Sequence, residues 1–252
     1  MQQQRIIGIV SGKGGVGKTT CTVNLGLAMH LFGKDVMLVD TDITNANLCM
    51  HLGNYSPPAG VQKALGDNTS PLDIVCTHPT GLNFIPADIS MDFIDTELQA
   101  TKLRRFLRDI HCTVLLDGPP SLENNAQAVI KSSDEILVVT NPEMPSVIDS
   151  LKVIKFAKML EKPVLGLILN RNNRYFSLTK ENIEQVCGEK VLALVPEDRD
   201  VKKSIFLKQP LVALKPYSAT SIAFRKLAAE LHGETFRPPG ISFLRGLLER
   251  FS

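Results

Sequence analysis

The sequence predicts an α/β fold in which a mostly parallel sheet is flanked by helices on both faces. Three observations predict it. Short runs rich in Val, Ile and Leu recur along the chain. Most are apolar at consecutive rather than alternate positions, the pattern of strands buried on both faces. Longer stretches with helical spacing separate these runs, so the repeating unit is strand–helix–strand. Finally, a glycine-rich stretch, residues 12–20, lies between the first strand and the first helix.

The elements follow in order. Ile6–Val10 is the first strand and Lys18–Phe32 the helix after it. Further strands are expected at Val36–Val39, Leu82–Pro86, Thr113–Leu116, Ile136–Thr140, Val164–Asn170 and Val191–Val195. Further helices are expected over Thr96–Arg108, Ser121–Lys131, Ser146–Leu160, Thr179–Val186 and Ser218–Leu231. Residues 53–81 are rich in Gly, Pro, Asn and Ser and read as an irregular excursion, with one short helix near Val61–Leu65. At Phe236-Arg237-Pro238-Pro239-Gly240 two prolines remove amide donors and restrict the residues before them. The chain therefore divides into a domain over residues 1–236 and a terminal segment over 237–252.

Composition narrows the function classes. A chain of 252 residues is long enough for one sizeable α/β core. Its net charge of only +2 argues against wholesale polyanion binding, so DNA is not an expected partner. Cys21, Cys49, Cys76, Cys112 and Cys187 are scattered and include no Cys-x-x-Cys pair. Neither a disulfide framework nor a zinc site is expected, and a reducing cytosol fits best. The N-terminus lacks the features of a secretory leader. No apolar run approaches the ~20 residues that a membrane-spanning helix needs. The expectation is a protein inside the cell that does not span a bilayer.

Gly12-Lys13-Gly14-Gly15-Val16-Gly17-Lys18-Thr19-Thr20 matches G-x-x-x-x-G-K-[ST] in its required context, after a strand and opening a helix. Glycines let the backbone turn tightly with its amides aimed at phosphate oxygens. The helix start adds its positive end. Lys18 can reach the β- and γ-phosphates of ATP, and the Thr19 hydroxyl can ligate Mg2+. Leu38-Val39-Asp40-Thr41-Asp42 ends the second strand, where carboxylates face the ligand crevice of a parallel sheet. Such a pair can hold Mg2+ through its waters and orient an attacking water; the plainer alternative is a helix cap and a solvated carboxylate. Thr113-Val114-Leu115-Leu116-Asp117 is a buried strand delivering one carboxylate to the Mg2+ shell.

With Lys13 inside the loop, the chain resembles the MinD/ParA superfamily of deviant Walker A ATPases, whose Rossmann-like P-loop domain carries K-G-G-x-G-K-[ST]. The resemblance covers roughly residues 5–232. It implies that Lys13 reaches across a dimer interface to the partner's ATP, that Asp40 supports the metal and that Asp42 positions the hydrolytic water. It implies adenine contacts from Asn170 in Leu169-Asn170-Arg171 and from Pro196 and Glu197 in Pro196-Glu197-Asp198. Ile43-Thr44-Asn45-Ala46-Asn47-Leu48, then Gly53, and Asn141-Pro142-Glu143 look like the MinD branch, whereas the Pro-Gln-Gly of ParA proteins is absent. Asp117-Gly118-Pro119-Pro120-Ser121 departs from the usual D-x-P-A-G.

In the terminal segment, Ile241, Leu244, Leu247, Leu248 and Phe251 share one helical face, with Phe243 at its edge. At 1.5 Å per residue the helix is about 18 Å long, able to lie on a bilayer but not to cross it. MinD proteins end in a comparable membrane-targeting helix. A helix docking on the domain or pairing with a second copy is the alternative. The expectation is thus an Mg2+-dependent ATPase, slow without a partner. It dimerises with ATP, binds the inner face of the membrane reversibly and positions cell-division or other polar machinery through an unidentified activator or cargo protein. A DNA-partitioning ATPase and, further off, an iron–sulfur carrier of the same superfamily are the alternatives.

Overall fold

Eight strands form one sheet in the order β3-β4-β2-β5-β1-β6-β7-β8. They are β1 (Arg5–Ser11), β2 (Val36–Asp40), β3 (Cys76–Thr77), β4 (Asn83–Ile85), β5 (Thr113–Pro120), β6 (Glu135–Thr140), β7 (Val164–Asn172) and β8 (Val191–Pro196). Every neighbouring pair is parallel except β3 and β4. The computed structural model describes residues 4–53, 59–88, 97–173 and 178–238. The amphipathic segment expected over residues 240–251 lies outside them, as does the expected helix start at Thr96.

The sheet is covered on both sides, which explains the unbroken apolar runs. In β1, Ile6 and Val10 belong to one hydrophobic layer, and Ile7 and Ile9 to the other. The first layer takes in α3 (Val61–Asp67), α4 (Ala100–Leu107), α5 (Asn124–Ser132), α6 (Met144–Met159) and α7 (Lys180–Cys187). The second takes in α1 (Lys18–Leu31), α2 (Leu48–Leu52), α9 (Leu211–Leu214) and α10 (Ala219–Glu230). Between β8 and α9 lies α8 (Asp200–Phe206).

The boundaries that moved have local causes. β5 runs on to Pro120 instead of stopping at Leu116, because Pro120 still pairs with Ser11 of β1. Ser121 then takes a left-handed φ of 68°, which interrupts the backbone, and α5 starts at Asn124 rather than Ser121. Thr179 and Ser218 are caps rather than first helical residues; their hydroxyls accept the Asn182 and Ser221 N–H groups. Helix α3 falls within the excursion as expected, with a 3₁₀ turn (Pro71–Ile74) and β3 beside it. α2, α8 and α9 have five, seven and four residues, too few turns for a periodic pattern to stand out.

This topology gathers the chemistry at one edge. The C-terminal ends of β1, β2, β5, β6, β7 and β8 deliver the glycine-rich loop, Asp40, Asp117, Asn141, Asn170 and Pro196 respectively. In open α/β sheets that edge is where ligands bind.

Candidate active site

The loop leaves β1 at Ser11 and turns into α1 at Lys18. Two glycines are dictated by close approach. A Cβ on Gly12 would lie 2.2 Å from the backbone carbon of Asp149 in α6, and one on Gly17 would lie 2.3 Å from Asn170 Nδ2. Gly17 also has a φ of 93°, which side-chain-bearing residues rarely adopt. The Ser11 hydroxyl donates to the Lys13 carbonyl at 2.9 Å and holds the loop's first turn.

Inside the loop lies a cavity of about 350 Å³, lined by Gly14, Lys18, Thr19, Asp42, His51 and Pro120 among others. Lys18 is 8% exposed, so its charge sits in a partly desolvated place where a polyanion is favoured. Lys13 is exposed and does not line this cavity. Val16 turns its side chain into the core.

Beneath the cavity, Asp40 and Asp117 are directly opposite each other on β2 and β5, and both are fully buried. Asp40 Oδ1 accepts the Asp42 N–H at 3.1 Å and Oδ2 accepts the Leu48 N–H at 3.0 Å. Asp40 therefore ties down the segment after β2, and each oxygen keeps one lone pair for a metal-bound water. Asp117 Oδ1 accepts the Thr22 hydroxyl at 3.0 Å, whereas Oδ2 is buried without a hydrogen-bond partner. A free carboxylate oxygen beside the Thr19 hydroxyl suits the shell of a hard cation such as Mg2+. Among the described residues, no three His, Cys, Asp or Glu side chains form a metal cage of their own. Mg2+ takes one or two carboxylates and fills its shell with phosphates and water.

Burial raises the pKa of all three aspartates. Asp117 is pushed up by burial against the opposing pull of Lys18 and the Thr19 and Thr22 hydroxyls. Asp40 is pushed well above the usual carboxylate range by burial and then by Asp117. Asp42 rises to about 6, again through burial, opposed by Lys18 and the Asn45 N–H. A cation among these groups would relieve the desolvation and repulsion together.

Next to the phosphate cavity is a second one, of about 270 Å³, lined by Asn170, Arg171, Pro196, Glu197, Ile205 and Phe224 among others. It shares Gly17, Thr20 and Arg171 with the first, so the two form one groove. Asn170 is buried and donates from Nδ2 to the Val16 carbonyl at 2.7 Å. Pro196 pairs with Asn172 across β7 and β8, which brings the Glu197 turn against the Asn170 strand end.

Of the residues singled out in the sequence, the loop, Asp42, Asn170, Pro196 and Glu197 meet along this groove; Asp40 and Asp117 lie under it and Lys13 beside it. Asn45, His51, Arg171 and Phe224 were missed. Arg171 could have been suspected as a cation next to Asn170, held at a left-handed φ of 53°. His51 lies in a five-residue helix, and burial with the nearby Lys208 charge lowers its pKa to about 4, so the ring is neutral. Phe224 is an ordinary apolar position of α10 with no local signal.

Known proteins resemble this arrangement. The family model described as the CobQ/CobB/MinD/ParA nucleotide binding domain matches residues 7–211. An uncharacterized ATP-binding protein of Methanocaldococcus jannaschii is 35% identical over 234 residues, covering 91% of this chain and 88% of that one. The septum site-determining protein MinD of Synechocystis is 31% identical, with 91% and 90% covered. Among solved structures, the septum site-determining protein MinD of Pyrococcus horikoshii, complexed with Mg-ADP, matches with a TM-score of 0.85 at 32% identity, covering 91% of this chain and 96% of that one.

Proposed function

This chain belongs to the CobQ/CobB/MinD/ParA family of nucleotide-binding domains, and on that premise we propose that it is a MinD-like ATPase that dimerises on ATP, binds a membrane surface reversibly and positions other proteins. The observation that carries this reading is the continuous groove, in which Lys18 and Asp42 face the phosphate end and Asn170 the base end. ATP and ADP with Mg2+ are its ligands.

The chemistry follows from these positions. The Lys18 ammonium neutralises charge on the β- and γ-phosphates, and the loop amides do the same without reorganising. Thr19, Asp117 and, through water, Asp40 would hold Mg2+, which shields the β- and γ-oxygens when bound. Asp42 accepts the Asn45 N–H at 3.1 Å and has acceptor capacity left to hold a water. Attack of that water forms a P–O bond as the bond to the β–γ bridging oxygen breaks, releasing ADP and phosphate. Asn170, Pro196 and Glu197 contact the adenine.

Lys13 is the reason to expect a dimer. It is exposed, lies off its own cavity and forms no ion pair among the described residues. In a face-to-face dimer its charge completes the partner's site, as an arginine finger does. Membrane contact is assigned to Ile241, Phe243, Leu244, Leu247, Leu248 and Phe251. Two such segments side by side gain apparent affinity of ~10²-fold or more from effective concentration. The protein would then cycle between the cytoplasm and the inner membrane face, carrying an activator or cargo whose identity is open. Among the described residues no helix is long and apolar enough to cross a membrane.

Two measurements test this. Light scattering on the Asp42→Ala variant should give a monomer alone and a dimer with Mg-ATP. Liposome flotation of the wild type should show binding with ATP, less with ADP and none after removal of residues 240–252. Equal flotation in all three conditions would end the membrane assignment.

A further inference from the structure

Asp40 and Asp117 lie opposite each other on β2 and β5 but are held in different ways. Asp40 accepts a main-chain N–H on each oxygen, from Asp42 and Leu48. At Asp117 the backbone is pinned by Thr41, whose N–H and hydroxyl reach the Asp117 carbonyl at 3.0 and 2.9 Å. Its carboxylate is held by a side chain instead. The Thr22 hydroxyl donates to Oδ1 at 3.0 Å, and Oδ2 is buried without a partner. Thr22 and Asp117 are both fully buried, so bulk water does not replace this contact.

That contact sets how the carboxylate is turned. The terminal torsion of an aspartate is broad and two-fold, so a pinned backbone does not by itself choose which oxygen points where. Thr22 can choose, because a β-branched side chain is stiff about its first torsion. Its oxygen also lies 3.1 Å from the Lys18 carbonyl, one turn back in α1, which keeps it on the helix face that meets β5. A hydroxyl has one hydrogen, and of these two acceptors the carboxylate is the stronger. Thr19, three residues before Thr22, shares that side of α1 and lines the phosphate cavity. One helix face thus presents Thr22 to the carboxylate and Thr19 to the ligand.

We propose that Thr22 is a positioning residue for the metal site: by engaging Asp117 Oδ1 it leaves Oδ2 as the single oxygen that this carboxylate offers to a cation. The inference rests on the Mg-ATP reading above. Thr22 lines neither cavity, so it touches neither end of the nucleotide and acts only through Asp117. Without the hydroxyl, Oδ1 is left buried and unpaired, and the carboxylate turns toward Lys18 or the Thr19 hydroxyl, the groups that already act on it. Asp40 has no such dependence on a side chain, because both of its donors belong to the main chain. One oxygen per carboxylate suits Mg2+, which keeps several waters in an octahedral shell.

Calorimetric titration of the full-length protein with ATP, once in excess Mg2+ and once in EDTA, tests this. The wild type should bind more tightly in Mg2+. Thr22→Val keeps the branched shape and removes the hydroxyl. It should weaken binding in Mg2+ by about tenfold or more, the usual cost of removing the partner of a metal ligand, and in EDTA by less than about threefold. Thr22→Ser keeps the hydroxyl and should stay within about threefold of the wild type in both media. In an Asp117→Ala background, Thr22→Val should cost nothing further in Mg2+, because the group it positions is gone. Thr22→Ala serves if the valine variant does not fold by circular dichroism. Equal weakening in Mg2+ and EDTA, undiminished binding in Mg2+, a further loss in the Asp117→Ala background, or a wild type indifferent to Mg2+ overturns the inference. A wild type that binds ATP in neither medium overturns the ATPase reading instead.

Discussion

The two ends of the groove are built in opposite ways. The phosphate end comes mainly from nine consecutive residues, 12–20, plus carboxylates from two adjacent strands. The base end comes from Asn170, Pro196, Ile205 and Phe224, brought together from β7, β8, α8 and α10. A contiguous loop can bind an anion through backbone amides, whatever the surrounding side chains. A base pocket needs side chains of defined shape on rigid elements. On the proposed function, the first end would supply affinity and chemistry and the second would decide which nucleotide is held.

On that division, the largest effect on binding comes from Lys18→Ala, which should lower Mg-ATP affinity by about 100-fold or more, the loss of a charge-assisted contact in a desolvated place. Near-normal calorimetric binding in that variant would break the comparison at its root. Lys13→Ala should leave binding to the monomer intact and lower stimulated turnover by about 10³-fold, as for a finger supplied in trans. Phosphate-release assays at saturating ATP read this, and a matched loss of binding would instead place Lys13 in its own site. Asp42→Ala should keep ATP binding and lower turnover by about 10²-fold, the usual contribution of a group that handles the attacking water. Retained turnover would remove Asp42 from that role.

The same contrast governs what could be read from the sequence. The parallel sheet and the phosphate loop were legible because consecutive residues encode them: β1, Gly12–Thr20 and α1 follow one another without a break. Asp117 was legible in identity but not in setting. Its strand continues three residues further, and its partner Asp40 lies opposite only through sheet register. His51 and Phe224 were not legible, since a histidine in one short helix and a phenylalanine in α10 acquire meaning only when α2 and α10 pack beside the loop. The Asn170 hydrogen bond to the Val16 carbonyl is of the same kind, joining residues 154 positions apart.

pH sharpens the comparison, because the carboxylates with raised pKa values, Asp40, Asp42 and Asp117, all lie at the phosphate end. A folded pKa above the unfolded value of about 4 means the folded state holds the proton more tightly, so that stability is complete below about 4 and is lost as pH rises. For Asp42 the loss runs through about 6. The melting temperature of nucleotide-free protein should therefore fall more steeply between pH 5 and 7 in the wild type than in Asp42→Asn, by a few degrees at most. Mg-ATP should reduce the difference. Parallel pH profiles for the two proteins would show that Asp42 is not held in a desolvated place.

The smallest effect concerns the rim of the same end. Ser121 sits at a φ of 68° directly after Pro120, which lines the phosphate cavity. A left-handed backbone costs a side-chain-bearing residue roughly 1–2 kcal/mol, and glycine escapes that cost while gaining freedom in the unfolded chain. Ser121→Gly should accordingly stabilise the protein by no more than about 1 kcal/mol, measured by urea denaturation. Its sign is the informative part. A gain means that the chain tolerates strain at the rim of the cavity, in a segment continuous with Asp117, where a ligand-driven shift of backbone would be felt by that carboxylate. A loss means that the serine side chain holds the turn through contacts worth more than the strain, and the rim is then a fixed wall.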